Sequence, residues 1–357
     1  MSSRTGVPGE EPGIHRTTTN LPLRDTIYSQ PQEDVSYKNA PPEHPNRTLR
    51  PGVYVPTFTF FKKTTEELDE EAIARHAVRM AKAGIAGIVT QGTNGEAVHL
   101  TSIERSVVNR TTRDALSRAG YEDFPIIVGC GVQSTRETID LCRQAHDSGG
   151  DYAVILPPSY YKANYKPECI KDYFTEVADA SPLPILIYNY PAVTGVDLDS
   201  DTIIELAKHP KIVGCKLTCG NTGKLNRIAA ATSARTHADQ GSGFMCLGGS
   251  ADFTIQSLVG GGSGVVAGLA NFAPKSCVRL AELYNSGSYH EAKGLQAPVA
   301  RGDWAAIKSG ISGTKCALEQ FFGYGGFARK PLPRPTKKEA IDHQDMFQEI
   351  ADMEKLL

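Results

Sequence analysis

From Pro51 onward, apolar and polar residues come in blocks that alternate with regularity. Short, almost continuously apolar runs occur at 53–58, 87–90, 125–129, 152–156, 184–189, 212–217, 243–247 and 264–267. Runs of that length and character predict strands buried on both faces. The stretches between them carry helical spacing. Over 66–83, Leu68, Ile73, His76, Ala77, Met80 and Ala83 fall near one face. Thr101-Ser102-Ile103-Glu104 has the form of a capping box and opens the next predicted helix, and Ser134, Asp199 and Asn221 are candidate caps for later ones.

Eight strands, each followed by a helix, over about 230 residues match an α/β chain folded as a (β/α)8 TIM barrel. A doubly wound open sheet fits the alternation too. It normally uses fewer strands, however, and no GxGxxG follows the first one. The tail reads as helical, broken at Gly323-Tyr324-Gly325-Gly326 and at Lys330-Pro331-Leu332-Pro333-Arg334-Pro335. Residues 1–50 are rich in Pro, Ser, Thr and Arg and show no period, as expected of a disordered extension. The predicted organisation is therefore an extension over 1–50, a catalytic barrel over 51–285 and a C-terminal helical region over 286–357.

Composition narrows the classes. Of 357 residues 40% are apolar and 22% charged, with a formal net charge of -2, an ordinary soluble balance. No block of Lys and Arg suggests a nucleic-acid partner, and no apolar run of about 18 residues suggests a membrane span. The 8 cysteines are scattered without a CxxC, which points to reduced thiols and a cytoplasmic protein. Arg4, Arg16 and Arg24 would suit a mitochondrial transit peptide, but Glu10, Glu11 and several prolines interrupt an amphipathic helix. The 9 histidines form no HxH, HxxxH or HExxH, so no metal site is expected.

In a barrel the chemistry gathers at the C-terminal ends of the strands. Lys216 closes the run Lys211-Ile212-Val213-Gly214-Cys215-Lys216. Loss of water favours the neutral form of an amine, the nucleophile that makes a Schiff base with a ketone. A lysine snorkelling out at the strand end satisfies the same pattern. Tyr188 ends the apolar strand before it, as a proton shuttle or a structural hydrogen bond. Gly92-Thr93-Asn94-Gly95-Glu96 follows the second strand, and its glycines free backbone N–H groups to face an anion or simply to turn. Gly261-Gly262-Ser263-Gly264 could cradle a phosphate or serve tight packing. Small residues Gly248, Gly249 and Ser250 leave room at the seventh strand, and Val266 on the eighth is a further candidate for substrate contact.

Together these segments resemble the dihydrodipicolinate synthase / N-acetylneuraminate lyase family of Schiff-base lyases, from about Pro51 to Pro335. The motifs come in family order: Gly92-Thr93-Asn94-Gly95-Glu96, Pro158-Ser159-Tyr160-Tyr161, Tyr188-Asn189-Tyr190-Pro191-Ala192-Val193-Thr194-Gly195 and Val213-Gly214-Cys215-Lys216. The resemblance implies that Lys216 attacks the keto carbon of a 2-oxo acid and Tyr188 relays protons. It also implies that Thr93 and Asn94, with Gly95 in their loop, hold the substrate carboxylate. Tyr160 matches a tyrosine that completes the relay across a subunit interface, in homotetramers that need no cofactor.

One departure bears on the substrate. Dihydrodipicolinate synthases usually read Pro-x-Arg-Thr-Gly after the tyrosine, and that arginine binds the aldehyde's carboxylate; here Val193 stands in its place. Lys216-Leu217-Thr218-Cys219-Gly220-Asn221 and Gly323-Tyr324-Gly325-Gly326 are more similar to 4-hydroxy-2-oxoglutarate aldolases and fungal 2-keto-3-deoxy-sugar-acid aldolases. The expected function is thus cleavage of such a 2-oxo acid to pyruvate or glyoxylate and an aldehyde or oxo acid. The alternatives are condensation of pyruvate with aspartate semialdehyde and a non-catalytic relative.

Overall fold

Strands buried on both faces need helices around them and side chains within, and the chain supplies both. The computed structural model describes residues 47–357, so the reading of 1–50 as a disordered extension or transit peptide falls, up to position 46, outside the described residues. Among those described, eight parallel strands close in sequence order. They are β1 (Gly52–Pro56), β2 (Gly87–Thr90), β3 (Ile126–Gly129), β4 (Tyr152–Ile155), β5 (Ile185–Asn189), β6 (Ile212–Leu217), β7 (Met245–Gly248) and β8 (Gly264–Val266). Pairing of β8 with β1 makes the sheet a TIM barrel and removes the open-sheet alternative.

Around it run α1 (Glu70–Lys82), α2 (Ser102–Arg118), α3 (Thr135–Asp147), α4 (Pro167–Ala180), α5 (Pro191–Thr194), α6 (Ser200–Leu206), α7 (Thr222–Ala231) and α8 (Thr254–Val259). Then come α9 (Pro274–Asn285), α10 (Tyr289–Phe322) and α11 (Lys337–Leu356). The caps are those expected: Thr101 and Glu104 form a full capping box, and Ser134, Asp199 and Asn221 each accept a hydrogen bond from their helix. The helix expected from 66 begins instead at Glu70. Glu66 has φ 60° in a turn closed by its N–H on the Lys62 carbonyl, and Asp69 takes the cap. Strand β1 stops at Pro56, because the Phe58 N–H leaves the ladder for Asn271 Oδ1 at 3.1 Å.

The two-residue period of the strands sorts side chains into two cores. Ile126, Val128, Ile185, Ile187, Cys215 and Leu217 face the helices, whereas Ile127, Leu186, Tyr188, Leu247 and Val266 fill the barrel. With Cys215 and Leu217 outward, Lys216 must point in. A register shift between Ile185 and Leu186 sets Lys216 directly beside Tyr188. The Gly264 alternatives also resolve: a Cβ there would lie 1.9 Å from the Gly52 carbonyl, so close strand packing requires the glycine.

The C-terminal helices are fastened to the barrel. Glu354 of α11 accepts hydrogen bonds from the Lys275 and Ser276 N–H groups at the start of α9 (3.0 and 2.8 Å). Helix α10 is two helices joined at Gly310, whose φ 61° and ψ -170° break the ladder and favour a residue without a side chain. Both halves lie over the mouth of the barrel.

Candidate active site

Three described lysines are buried: Lys216 and Lys224 at 4% exposure and Lys315 at 0%. Lys224 pairs with Asp197 at 2.5 Å and Lys315 with Glu96 at 2.6 Å. Lys216 has no ion pair or hydrogen bond to any described residue, and its Nζ lies 3.9 Å from the centre of the Tyr188 ring. Burial is tolerated at the first two because a carboxylate compensates it. At Lys216 nothing does, which leaves the nitrogen free to form a bond.

Tyr188 is equally uncommitted. Its ring stacks on Tyr190, with centroids 5.7 Å apart and planes at 19°, and this fixes its orientation. Its hydroxyl makes no hydrogen bond to a described residue, so the structural role open to a buried phenol is not the one found. Opposite stands the loop after β2. The Thr59 hydroxyl donates to the Gly95 carbonyl at 2.7 Å, and a Cβ on Gly95 would come within 2.8 Å of the Gln91 nitrogen. The loop is therefore held tight while the N–H groups of Thr93 and Asn94 remain unbonded within the described residues. Fixed, unpaired N–H groups suit a carboxylate.

Glu96 anchors this loop. It is buried with φ 51° and meets Lys315 Nζ, His99 Nδ1 at 3.0 Å and the Arg329 N–H at 2.9 Å. Burial pulls the Lys315 ammonium down to about 8 against the pull of the Glu96 carboxylate. The loop after β2 and the second half of α10 are thus joined through one buried pair.

Lys216, Tyr188, Thr93, Asn94, Ser250 and Val266 line one cavity of about 440 Å³, a size suited to a small molecule. Its far wall comes from Thr218, which the sequence offered only within the segment that follows Lys216, and from two residues it did not single out, Asp252 and, on α10, Asp303. Ser250 donates a short hydrogen bond to Asp303. Burial pushes the Asp303 carboxyl up to about 6; the Ser250 hydroxyl pulls it back, and the Asp252 charge adds to the rise. Thr218 Oγ1 and Asp252 Oδ1 are buried without any hydrogen-bond partner. A Cβ on Gly249 would lie 2.1 Å from Thr218 Oγ1, so only glycine admits the threonine there. A surface groove of about 710 Å³ is larger, but none of its lining residues lies on a strand.

Two expected residues sit apart from this cavity. Tyr160 is 77% exposed, edge-on to Tyr161, in the loop after β4. Gly95 shapes the loop and does not line the cavity. Val193, on α5, lines an adjoining cavity of about 590 Å³ that shares Thr93, Tyr188 and Ile311 with the first. Arg105 lies in that second wall, but it is committed to the carbonyls of Gly129 and Ala97 at 3.1 and 2.8 Å. All 8 cysteines are free, and Cys219 reaches the first cavity. No group of three His, Cys, Asp or Glu side chains among the described residues could hold a metal. No described helix is long and apolar enough to cross a membrane.

Two relatives that this chain covers almost end to end carry aldolase names, and with them the barrel and its mouth define a class I aldolase, a carbon–carbon lyase. The chain belongs to the dihydrodipicolinate synthetase family, whose model matches residues 51–351. It is 50% identical over 313 residues to the Emericella nidulans protein named "Probable 4-hydroxy-2-oxoglutarate aldolase, mitochondrial", covering 87% of this chain and 98% of that one. It is 48% identical over 307 residues to the Hypocrea jecorina "L-threo-3-deoxy-hexylosonate aldolase", covering 86% and 98%. A solved structure of a dihydrodipicolinate synthase family protein from Coccidioides immitis is similar with a TM-score of 0.77 at 34% identity, covering 87% and 99%.

Proposed function

We propose that Lys216 forms an imine with the keto carbon of a 2-oxo acid and that Tyr188 carries the proton of the cleavage step. The observation that carries this reading is the unpaired burial of Lys216 beside an unbonded phenol, where the other buried lysines are paired. The amine adds to C2, and Tyr188 gives its proton to the C2 hydroxyl, which leaves as water; this leaves a protonated imine and the Tyr188 phenolate. The C3–C4 pair then flows into the protonated imine, giving an enamine, while the Tyr188 oxygen takes the C4 hydroxyl proton and the aldehyde departs. That proton goes on to C3, and hydrolysis releases pyruvate and restores the amine. Thr93 and Asn94 hold the C1 carboxylate and so aim the bond to be broken. The imine is the electron sink, so the scheme contains no step for a metal or an organic cofactor.

The candidate substrates for this chemistry are those in the names of the two relatives, a 3-deoxy-2-oxo sugar acid and 4-hydroxy-2-oxoglutarate. Condensation of pyruvate with aspartate semialdehyde fits less well, because Val193 carries no charge to hold an anionic aldehyde. A lactate-dehydrogenase-coupled assay tests the choice. Pyruvate should appear from one or both 2-oxo acids, and turnover confined to pyruvate plus aspartate semialdehyde would overturn it.

Tyr160 enters this scheme only from another subunit, and we assign the enzyme to a homotetramer in which its exposed ring is covered. Sedimentation at assay concentration should give a species larger than one chain; an active monomer removes Tyr160 from the mechanism. Free thiols favour a cytoplasmic enzyme. The Emericella relative carries "mitochondrial" in its name, and recovery of this protein in a mitochondrial fraction would overturn the cytoplasmic assignment.

A further inference from the structure

The wall of the cavity facing away from the carboxylate loop has an uneven chemistry. Lys216 is the one basic residue among the described residues that line it, and in the reading above that nitrogen is consumed at C2. Two carboxylates, Asp252 and Asp303, stand on the same wall. The Ser250 proton is committed to Asp303, so the Ser250 oxygen has only lone pairs left to offer the cavity. Asp252 Oδ1 is an acceptor with no donor, and Thr218 Oγ1 is buried with no partner.

We propose that Asp303, reaching in from a helix outside the barrel, sets the substrate class by holding Ser250 as an acceptor, so that the cavity takes an uncharged polyhydroxyl tail and refuses a second carboxylate. The inference rests on the aldolase reading above, in which C2 is fixed at Lys216. A hydroxylated tail brings protons for the Ser250 oxygen and the Asp252 carboxylate, and oxygens for the Thr218 hydroxyl. A carboxylate tail brings no proton, adds a third negative charge to a wall that already has two, and leaves the Ser250 oxygen and Asp252 without a donor. Sites built to hydrogen-bond hydroxyl groups discriminate strongly against ligands that lack them. Asp303 is thus a positioning residue: it acts on the tail through Ser250 and takes no part in bond breaking. Its place on α10 also gives the C-terminal helices a role in specificity.

The test is the ratio of kcat/KM for a six-carbon 3-deoxy-2-oxo sugar acid to that for 4-hydroxy-2-oxoglutarate. The unsubstituted enzyme should favour the sugar acid. Asp303→Asn removes the charge and frees the serine proton, and the ratio should fall by about tenfold or more, mainly through KM. Ser250→Ala should lower the same ratio and carries the test if the first variant does not fold. An unsubstituted enzyme that prefers the dicarboxylate would overturn the proposal. So would a ratio unchanged in the variants, or a loss confined to kcat and equal for both substrates. Borohydride trapping of pyruvate on the unsubstituted enzyme keeps the two readings apart. If nothing is trapped, the lysine mechanism fails; if pyruvate is trapped while the variants leave the ratio unchanged, only the Asp303 assignment fails.

Discussion

Lys216→Ala should lower kcat by at least about 10,000-fold while leaving a folded protein. Without the amine there is no imine, and cleavage would have to leave its electron pair on an unassisted ketone. The carboxylate loop and the tyrosine would still bind and orient the substrate, which sets the residual rate. Stability should move little, by no more than about 2 kcal/mol, because no carboxylate loses a partner when this lysine goes. Lys315 makes the contrast. Its removal would leave Glu96 buried and charged without its ammonium partner, held only by His99 and the Arg329 N–H, with a structural cost of about 3–5 kcal/mol. Steady-state kinetics and thermal melting of Lys216→Ala check both halves, and turnover within tenfold of the unsubstituted enzyme contradicts the assignment.

Tyr188→Phe is the second large effect. The phenyl ring keeps the stack on Tyr190 and the surface under Lys216, and no hydrogen bond within the described residues is lost with the hydroxyl. What disappears is the group that takes the C4 hydroxyl proton and returns one to C3. The expected loss is about 100- to 10,000-fold in kcat with little change in KM, the size of a general acid–base contribution. Single-turnover kinetics should show imine formation surviving better than cleavage. A kcat close to that of the unsubstituted enzyme would mean that another group moves the proton.

The barrel was legible because strands buried on both faces leave unbroken apolar runs, and eight of them punctuated by capped helices admit few architectures. Lys216 was legible for a related reason: a charge at the end of such a run stands out, and Cys215 and Leu217 on either side show which way it must face. Where local backbone choices decide, the reading slipped. Glu66 fits the helical period yet turns left-handed, and Phe58 fits the strand yet bonds to Asn271.

The far wall was not legible. Asp303 sits in Arg301-Gly302-Asp303-Trp304, which resembles any solvated helix turn, and its partner Ser250 lies 53 positions away. Lys315 did carry a signal, since the buried residues Cys316, Ala317 and Leu318 follow it. Its partner Glu96 is 219 positions distant and could come only from the fold. Contacts between a barrel and its appended helices leave no period in either segment.

Incubation with pyruvate and borohydride, followed by peptide mass mapping, tests the central claim most directly. The account predicts one reduced pyruvyl adduct per chain on the peptide that contains Lys216, absent from Lys216→Ala. An unmodified Lys216 peptide, or an adduct that persists in the alanine variant, contradicts it.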